Sequence, residues 1–442
     1  MIPLQPSYLW TGHQLLEDAV VCVEDGLIAA IHPTVPEGMT TVRLPDRLIL
    51  PGLVNAHSHA FQRGFRGHVQ WKADGKSDFW SWREAMYATA NGLSPEGIEA
   101  ISALCFLEMA EAGVTHVGEF HYLHHQTDGT PYDDPDELAR RVIAAALRVG
   151  IRISLLRVVY ARNGIGIPLG ESQFRFRDDT PEQALAAVSR LSSHPDSRVG
   201  IGLAPHSVRA VPAEWMETLA SFGGPIHAHV SEQPAENEAC VAATGLSPLA
   251  LLAEGGLVHD RFTAVHLTYP MEGDLERLRA TGGAICACPV TELDLGDGLL
   301  PLQARADRVC VGSDSQARID LLEEARAIEL HGRAQSGRRV LLAKPGDRHG
   351  LAQRVLEIGT LQGSRCLGVD GPGLVVGAPA DLISIDLDRP GAWGVPPLEA
   401  AAFVATPEWI DQTWVGGVPL LYEGVHPLRR QIRSEAAQHL PS

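Results

Sequence analysis

PGLVNAHSHAFQRG, residues 51–64, opens as an apolar strand and ends on two histidines, His57 and His59. Side chains two apart on a strand point to the same side, so both imidazoles can face one metal ion. A strand delivering such a pair at its carboxyl end suits a parallel α/β barrel, whose active sites gather at that end of the strands. Alone, an H-x-H pair is a weak signal. Its weight comes from the rest of the chain.

Downstream, apolar strand candidates alternate with helical patterns, the texture of a parallel sheet. Eight candidates can be counted: Leu53–His59, Val114–Phe120, Ile151–Val158, Val199–Pro205, Pro225–Val230, Thr263–Leu267, Gly283–Cys288 and Val309–Ser313. Between them, stretches such as Pro95–Ala112 and Pro135–Arg148 carry apolar residues at helical spacing. Both ends of the chain have a different texture, with short strands at Ala19–Val23, Leu27–Ile31, Ala380–Ile385 and Trp414–Tyr422. The predicted fold is α/β: a (β/α)8 TIM-type barrel over 51–370, with a small β-sandwich domain built from both chain ends, 1–50 and 371–442. The connection after the first strand, Ala60–Asn91, is long, and long loops at a barrel mouth are usually functional.

The 442 residues are 45% hydrophobic and 20% charged, enough apolar mass for a large core. No stretch reaches the roughly 18 uninterrupted apolar residues of a membrane span. The amino terminus shows no basic segment followed by an apolar one, so the expected compartment is the cytoplasm. A formal charge of -18 repels phosphates and argues against nucleic acid or an anionic membrane as partner. An anionic substrate would then need arginines of its own at the site. Seven cysteines, odd in number and scattered, read as buried thiols; Cys286 and Cys288 lack the second pair that a structural zinc site requires. A symmetric homodimer is the default expectation for assembly.

Three further clusters fall at ends of strand candidates. His229 and Glu232 lie in PIHAHVSEQ after the fifth, His266 in TAVHLTYP after the sixth, and Asp314 in VCVGSDSQ after the eighth. Each has a bland reading as a buried or solvated polar residue. Asp314 is the most pointed, because an unpaired carboxylate beside an apolar strand is costly. Together with His57 and His59 they form one ordered set at one end of a barrel. That set, with PGLVNAHSH and the later GLVVGAPADLISID, resembles the amidohydrolase superfamily. The resemblance implies that His57, His59, His229 and Asp314 bind one Zn²⁺, with iron or manganese left open by the donor types. It also implies that Glu232 moves protons, that His266 polarises the substrate, and that Asp314 takes a proton from the attacking water. Two-metal members of the superfamily commonly carry a carboxylated lysine on the fourth strand; here that strand ends Leu203-Ala204-Pro205-His206, so a single ion is expected.

The segments around these residues narrow the chemistry. HSHAFQRG, DFWSWREAMY, EFHYLHH, PHSVRAV and HAHVSEQ resemble, within the deaminating part of the superfamily, the members that act on N-formimino-L-glutamate. By that resemblance Gln62, Arg83, Tyr122, His206 and Arg209 contact the substrate. A small anionic, amino-acid-derived substrate is the expected partner, since guanidinium grips carboxylate through two parallel hydrogen bonds. Arg63 and Arg66 are weaker candidates for the same work. His121, His124 and His125 do not share one face and are not expected to form a second metal site. His227 could share the face of His229, and Trp80 and Trp82 read as packing of the loop. Alternatives are a deaminase acting on guanine, a pterin or an adenosine derivative, and a barrel used only as a binding module.

Overall fold

A computed structural model describes residues 1–70, 79–305, 308–369 and 372–440, with side chains of the loop helix from Trp82 onward. Lys72, Lys76 and the Trp80 side chain lie outside the described residues.

Eight parallel strands stand in sequence order around a barrel: Leu53–Ser58, Val114–His121, Arg152–Val159, Val199–Pro205, Ile226–Val230, Phe262–His266, Ala284–Ala287 and Val309–Val311. Most are buried along their whole length, because helices cover them outside and side chains fill them inside. None contains a lysine. Helices Pro95–Glu111 and Glu137–Val149 cover the strands that follow them. Ser94 caps the former by accepting from the Gly97 N–H, and Gly150 ends the latter in left-handed backbone.

The eighth strand is shorter than its apolar run suggested. Past Val311 the chain is pressed against the first strand: a Cβ on Gly312 would come within 2.6 Å of the His57 carbonyl oxygen and 2.7 Å of its Cβ. Only glycine fits there. Ladder pairing gives way to a single parallel bridge between Ser58 and Asp314, where the Asp314 N–H donates to the His57 carbonyl at 3.0 Å and the His59 N–H to the Asp314 carbonyl at 3.1 Å. The barrel therefore closes through three of the proposed metal-binding residues.

The chain ends join in one mostly antiparallel eight-stranded sheet, in which Ile2–Trp10 runs parallel to Val42–Pro51 and Leu382–Asp386 pairs antiparallel with it. Val42–Pro51 passes into the first barrel strand through Gly52 alone, so the sheet is anchored at the opposite end of the barrel from the histidines. The run Trp414–Tyr422 is a hairpin, Ile410–Val415 with Val418–Pro419, turned at Gly416-Gly417. Beyond it the helix Arg429–Ala436 returns to the barrel wall, where Arg429 pairs with Glu111 at 2.7 Å. All seven cysteines are free and buried. No helix is long and apolar enough to cross a membrane among the described residues.

Candidate active site

At the carboxyl ends of strands one, five and eight, His57, His59, His229 and Asp314 come together, all buried, with one donor atom from each within 4.8 Å of the others. His57 Nε2 and His229 Nε2 are 3.2 Å apart, and Asp314 Oδ1 lies 3.4 Å from His57 Nε2 and 3.3 Å from His59 Nε2. Donors about 2.1 Å from a tetrahedral ion would stand about 3.4 Å from one another, so the spacing fits one such ion. The rings are turned for it. His59 Nδ1 faces the Phe120 carbonyl at 3.0 Å and His229 Nδ1 the His206 carbonyl at 3.1 Å, which directs both Nε2 lone pairs inward. Burial pushes His57 down to about 3 and His229 well below the usual histidine range, so both rings are neutral and ligand-competent. Burial would raise the Asp314 carboxyl, but the close approach of His57 and His59 holds it well below the usual carboxylate range.

Behind this cluster runs a hydrogen-bonded seam. Ser58 Oγ donates to Glu119 Oε2 at 2.7 Å, Gln316 Nε2 to Ser58 Oγ at 2.9 Å, Ser313 Oγ to Gln316 Oε1 at 2.9 Å, and Asn55 Nδ2 to Ser313 Oγ at 2.7 Å. Left-handed backbone concentrates at the strand ends: Ser231 (φ 50), His266 (φ 68), Leu267 (φ 51), Asp314 (φ 48) and Gln316 (φ 64). Such strain in non-glycine residues clusters at functional sites.

Glu232 lies over the cluster, pinned by Thr268 Oγ1, which donates to its carbonyl at 2.8 Å. Glu232 Oε1 is 3.6 Å from His266 Nε2, and Asp314 Oδ2 is 3.8 Å from the same nitrogen. His266 Nδ1 stands 3.4 Å from Glu292 Oε1, which also accepts the Cys288 N–H at 2.8 Å. Burial would lower this imidazole, but Glu232, Glu292 and Asp314 together outweigh it and push it up to about 10. His266 also joins Cys288 and Asp314 in a second, three-donor grouping.

The space above, about 660 Å³ with its open mouth included, is a pocket that opens directly over the cluster. Gln62, Arg83, Tyr122, His206 and Arg209 line it together with His59, His229, Glu232, His266 and Asp314. Gln62 Nε2 donates to the Tyr122 hydroxyl at 3.0 Å, and His206 Nδ1 faces Ser207 Oγ at 3.1 Å. Arg83 enters from the helix Phe79–Gly92, over the Tyr87 ring, and donates to Asn163 Oδ1 at 3.4 Å. Arg209 pairs with Glu232 at 3.3 Å. Arg63 and Arg66 do not join them: both bind Glu108, at 2.7 and 2.6 Å, outside the pocket lining. His227 turns to the Cys366 carbonyl at 3.0 Å, and neither it nor His121, His124 or His125 belongs to a metal grouping among the described residues.

Several pocket residues were not anticipated from sequence, notably Tyr87, Tyr160, Arg162 and Asn163, nor was Glu292 behind His266. The rule that placed the others, polar residues just past a strand end, would have found Tyr160-Ala161-Arg162-Asn163 after strand three and Glu292 after strand seven.

A buried three-histidine, one-carboxylate cluster at the mouth of a (β/α)8 barrel, with an acid and a fourth histidine beside it, is the equipment of a hydrolase that cleaves carbon–nitrogen bonds. Residues 48–420 match the amidohydrolase family, and the chain belongs to it. Within that superfamily the protein is a deaminase. It is 36% identical over 378 residues, 83% of this chain and 82% of the other, to formimidoylglutamate deiminase of Pseudomonas aeruginosa. It is 29% identical over 384 residues, 84% and 80% of the two chains, to 5-methylthioadenosine/S-adenosylhomocysteine deaminase of Natronomonas pharaonis. Among solved structures, an amidohydrolase from Brucella melitensis matches with a TM-score of 0.93 at 32% identity, over 100% of this chain and 99% of that one. An adenosine deaminase from Xanthomonas campestris with bound zinc shares the fold, with a TM-score of 0.83 at 24% identity over 99% and 97%.

Proposed function

We propose that this protein hydrolyses N-formimino-L-glutamate to N-formyl-L-glutamate and ammonia, a step of histidine breakdown, with one zinc ion held by His57, His59, His229 and Asp314. The observation that carries the substrate is that, of the three arginines lining the same pocket as Glu232, Arg162 is taken up by backbone carbonyls while Arg83 and Arg209 face the space, in a chain of net charge -18. A neutral nucleoside would gain little from two guanidiniums, whereas a substrate with two carboxylates uses both. The similarity to the Pseudomonas aeruginosa deiminase supports the same choice.

Zinc, when bound, would supply a water acidified to a pKa of about 7 and so a nucleophile at neutral pH. The chain's own residues do the rest. The arginines, Gln62 and Tyr122 hold the glutamate part, so the small formimino carbon arrives in one orientation. Asp314 accepts a proton from the attacking water. Glu232 delivers one to the departing nitrogen, so a C–O bond forms, the C–N bond breaks and ammonia leaves. His266 Nε2, held between Glu232 and Asp314, polarises the reacting amidine.

Ammonia release should be measured with N-formimino-L-glutamate, 5-methylthioadenosine and guanine, before and after chelation. The expected result is turnover of the first alone, lost on chelation and restored by zinc. Glu232→Gln should keep one zinc per chain and lose about 10²- to 10⁴-fold in kcat, the usual contribution of a positioned proton donor. Preference for a purine, or a Glu232→Gln enzyme of undiminished kcat, would refute the assignment.

A further inference from the structure

The guanidinium offered to a substrate carboxylate is already engaged. Arg209 Nη2 donates to Glu232 Oε2 at 3.3 Å, and Arg209 Nε stands 3.9 Å from Glu236 Oε2. The same Glu236 oxygen accepts the backbone N–H of Glu232 at 3.3 Å. Glu236, in the first turn of the helix Pro234–Thr244, thus touches both the group that would hold the substrate's tail and the group that would move the proton. Its side chain is fully buried and its Oε1 has no hydrogen-bond partner. Burial pushes its carboxyl up to about 7 in spite of Arg209. Burying an acid this way is costly, and its position between Arg209 and Glu232 is what the cost maintains.

Glu232 therefore has Oε2 tied to Arg209, while Oε1 faces His266 at 3.6 Å without a hydrogen bond. An incoming carboxylate presents two oxygens to the guanidinium fork, where Glu232 presents one. We infer that the substrate's carboxylate takes the Arg209 Nη2 donor from Glu232, that this exchange frees Glu232 for proton transfer, and that Glu236 is the positioning residue holding Arg209 and Glu232 in register. The inference rests on the formimino-glutamate reading and deepens it: the anionic tail acts on turnover and not only on affinity. Amidines without a carboxylate would enter the pocket and find Glu232 still tied.

The test uses the zinc-loaded enzyme with N-formimino-L-glutamate and with N-formimino-propylamine, the same carbon chain without carboxylates. The truncated amidine should show a kcat about tenfold or more lower, because remote binding energy is lost from the reacting centre. Free formate, the missing carboxylate alone, should raise that kcat saturably when added in trans. Glu236→Gln should retain one zinc per chain and narrow the kcat gap between the two amidines. Equal kcat values with a difference only in KM would overturn the inference alone. So would formate that leaves the truncated kcat unchanged, or a Glu236→Gln enzyme slowed equally on both amidines, as a merely structural role requires. An enzyme that deaminates 5-methylthioadenosine and turns over neither amidine would overturn the substrate reading and the inference with it.

Discussion

His116 shows how a single buried residue far from the chemistry adds to the acid sensitivity of this fold. It sits in the second barrel strand, 6% exposed, with Nε2 2.9 Å from Ser154 Oγ, near the end of the barrel that carries the terminal sheet. Burial pushes its imidazole down to about 3 from the usual value of 6.5. Below pH 6.5 the unfolded chain binds a proton there that the folded chain refuses, so stability is complete above that pH and declines as pH falls toward 3. Each pH unit in that window costs up to about 1.4 kcal/mol for such a group. His116→Gln keeps a hydrogen-bonding side chain and removes the titration. Urea denaturation at pH 7, 5.5 and 4.5 should show the variant gaining on the parent as pH falls; a constant difference would mean that His116 carries no share of the acid sensitivity. At this scale the sequence was informative where a residue type has few uses. His57, His59, His229 and Asp314 stand out because histidine and aspartate beside apolar strands need a reason. Glu119 and Glu236 gave no such sign: a glutamate in sequence does not reveal that it will be buried behind another residue's hydroxyl or guanidinium.

Elements place the site through connections more than through strands. The loop after strand four carries His206, Ser207 and Arg209 into the pocket, and no ladder holds it. Arg162, just past strand three, does so instead: its Nε donates to the Arg209 carbonyl at 3.2 Å, and its Nη2 to the carbonyls of Val208 at 2.8 Å and Val211 at 3.0 Å. One guanidinium thus reinforces a loop that the backbone also holds at Ala210, whose carbonyl accepts the N–H groups of Ala161 at 2.9 Å and Arg162 at 3.1 Å. Arg162→Met should leave zinc content unchanged and raise KM for N-formimino-L-glutamate about tenfold, because Arg209 loses its seat while the metal cluster does not move. Arg162→Lys, with donors but no fork, should recover only part of that loss. Steady-state kinetics with metal analysis checks both; an unchanged KM would show that the loop holds itself. The clamp was illegible in sequence because it pairs a side chain with carbonyls, which carry no residue signature. Strand order, by contrast, was legible from apolar runs alone. Strand ends slipped by a residue or two, and the eighth most of all, since the close approach of Gly312 to His57 depends on a neighbour 255 positions away in the chain.

For the molecule as a whole, the decisive fact is that the barrel's closing seam and the metal cluster are the same place. Six of the eight strand junctions are parallel ladders of three or more residue pairs; strands four and five register at Leu203 and Ile226, and the junction between the first and last strands is a single bridge at Ser58 and Asp314. Its backbone bonds flank that bridge at His57, His59 and Asp314, and its side-chain bonds run through Asn55, Ser313, Gln316, Ser58 and Glu119. An ion joining His57 and His59 to Asp314 would tie strand one to strand eight across this junction. Ion binding to the folded state alone stabilises it by about 4 kcal/mol at a thousandfold excess over Kd. Removing it should not loosen the barrel evenly. Hydrogen exchange compared between zinc-loaded and chelated protein should show protection lost first and most at 53–59 and 309–316, while the ladder of strands two to four, from Val114 to Pro205, keeps its protection. Uniform loss across all eight strands would mean that the ion stabilises the fold globally, and unchanged exchange at the seam would mean that backbone and side-chain bonds close the barrel unaided. A seam-first pattern has a functional consequence as well: the strands that move when the ion leaves are the ones bearing three of its four ligands, so reloading and barrel closure would be one cooperative event.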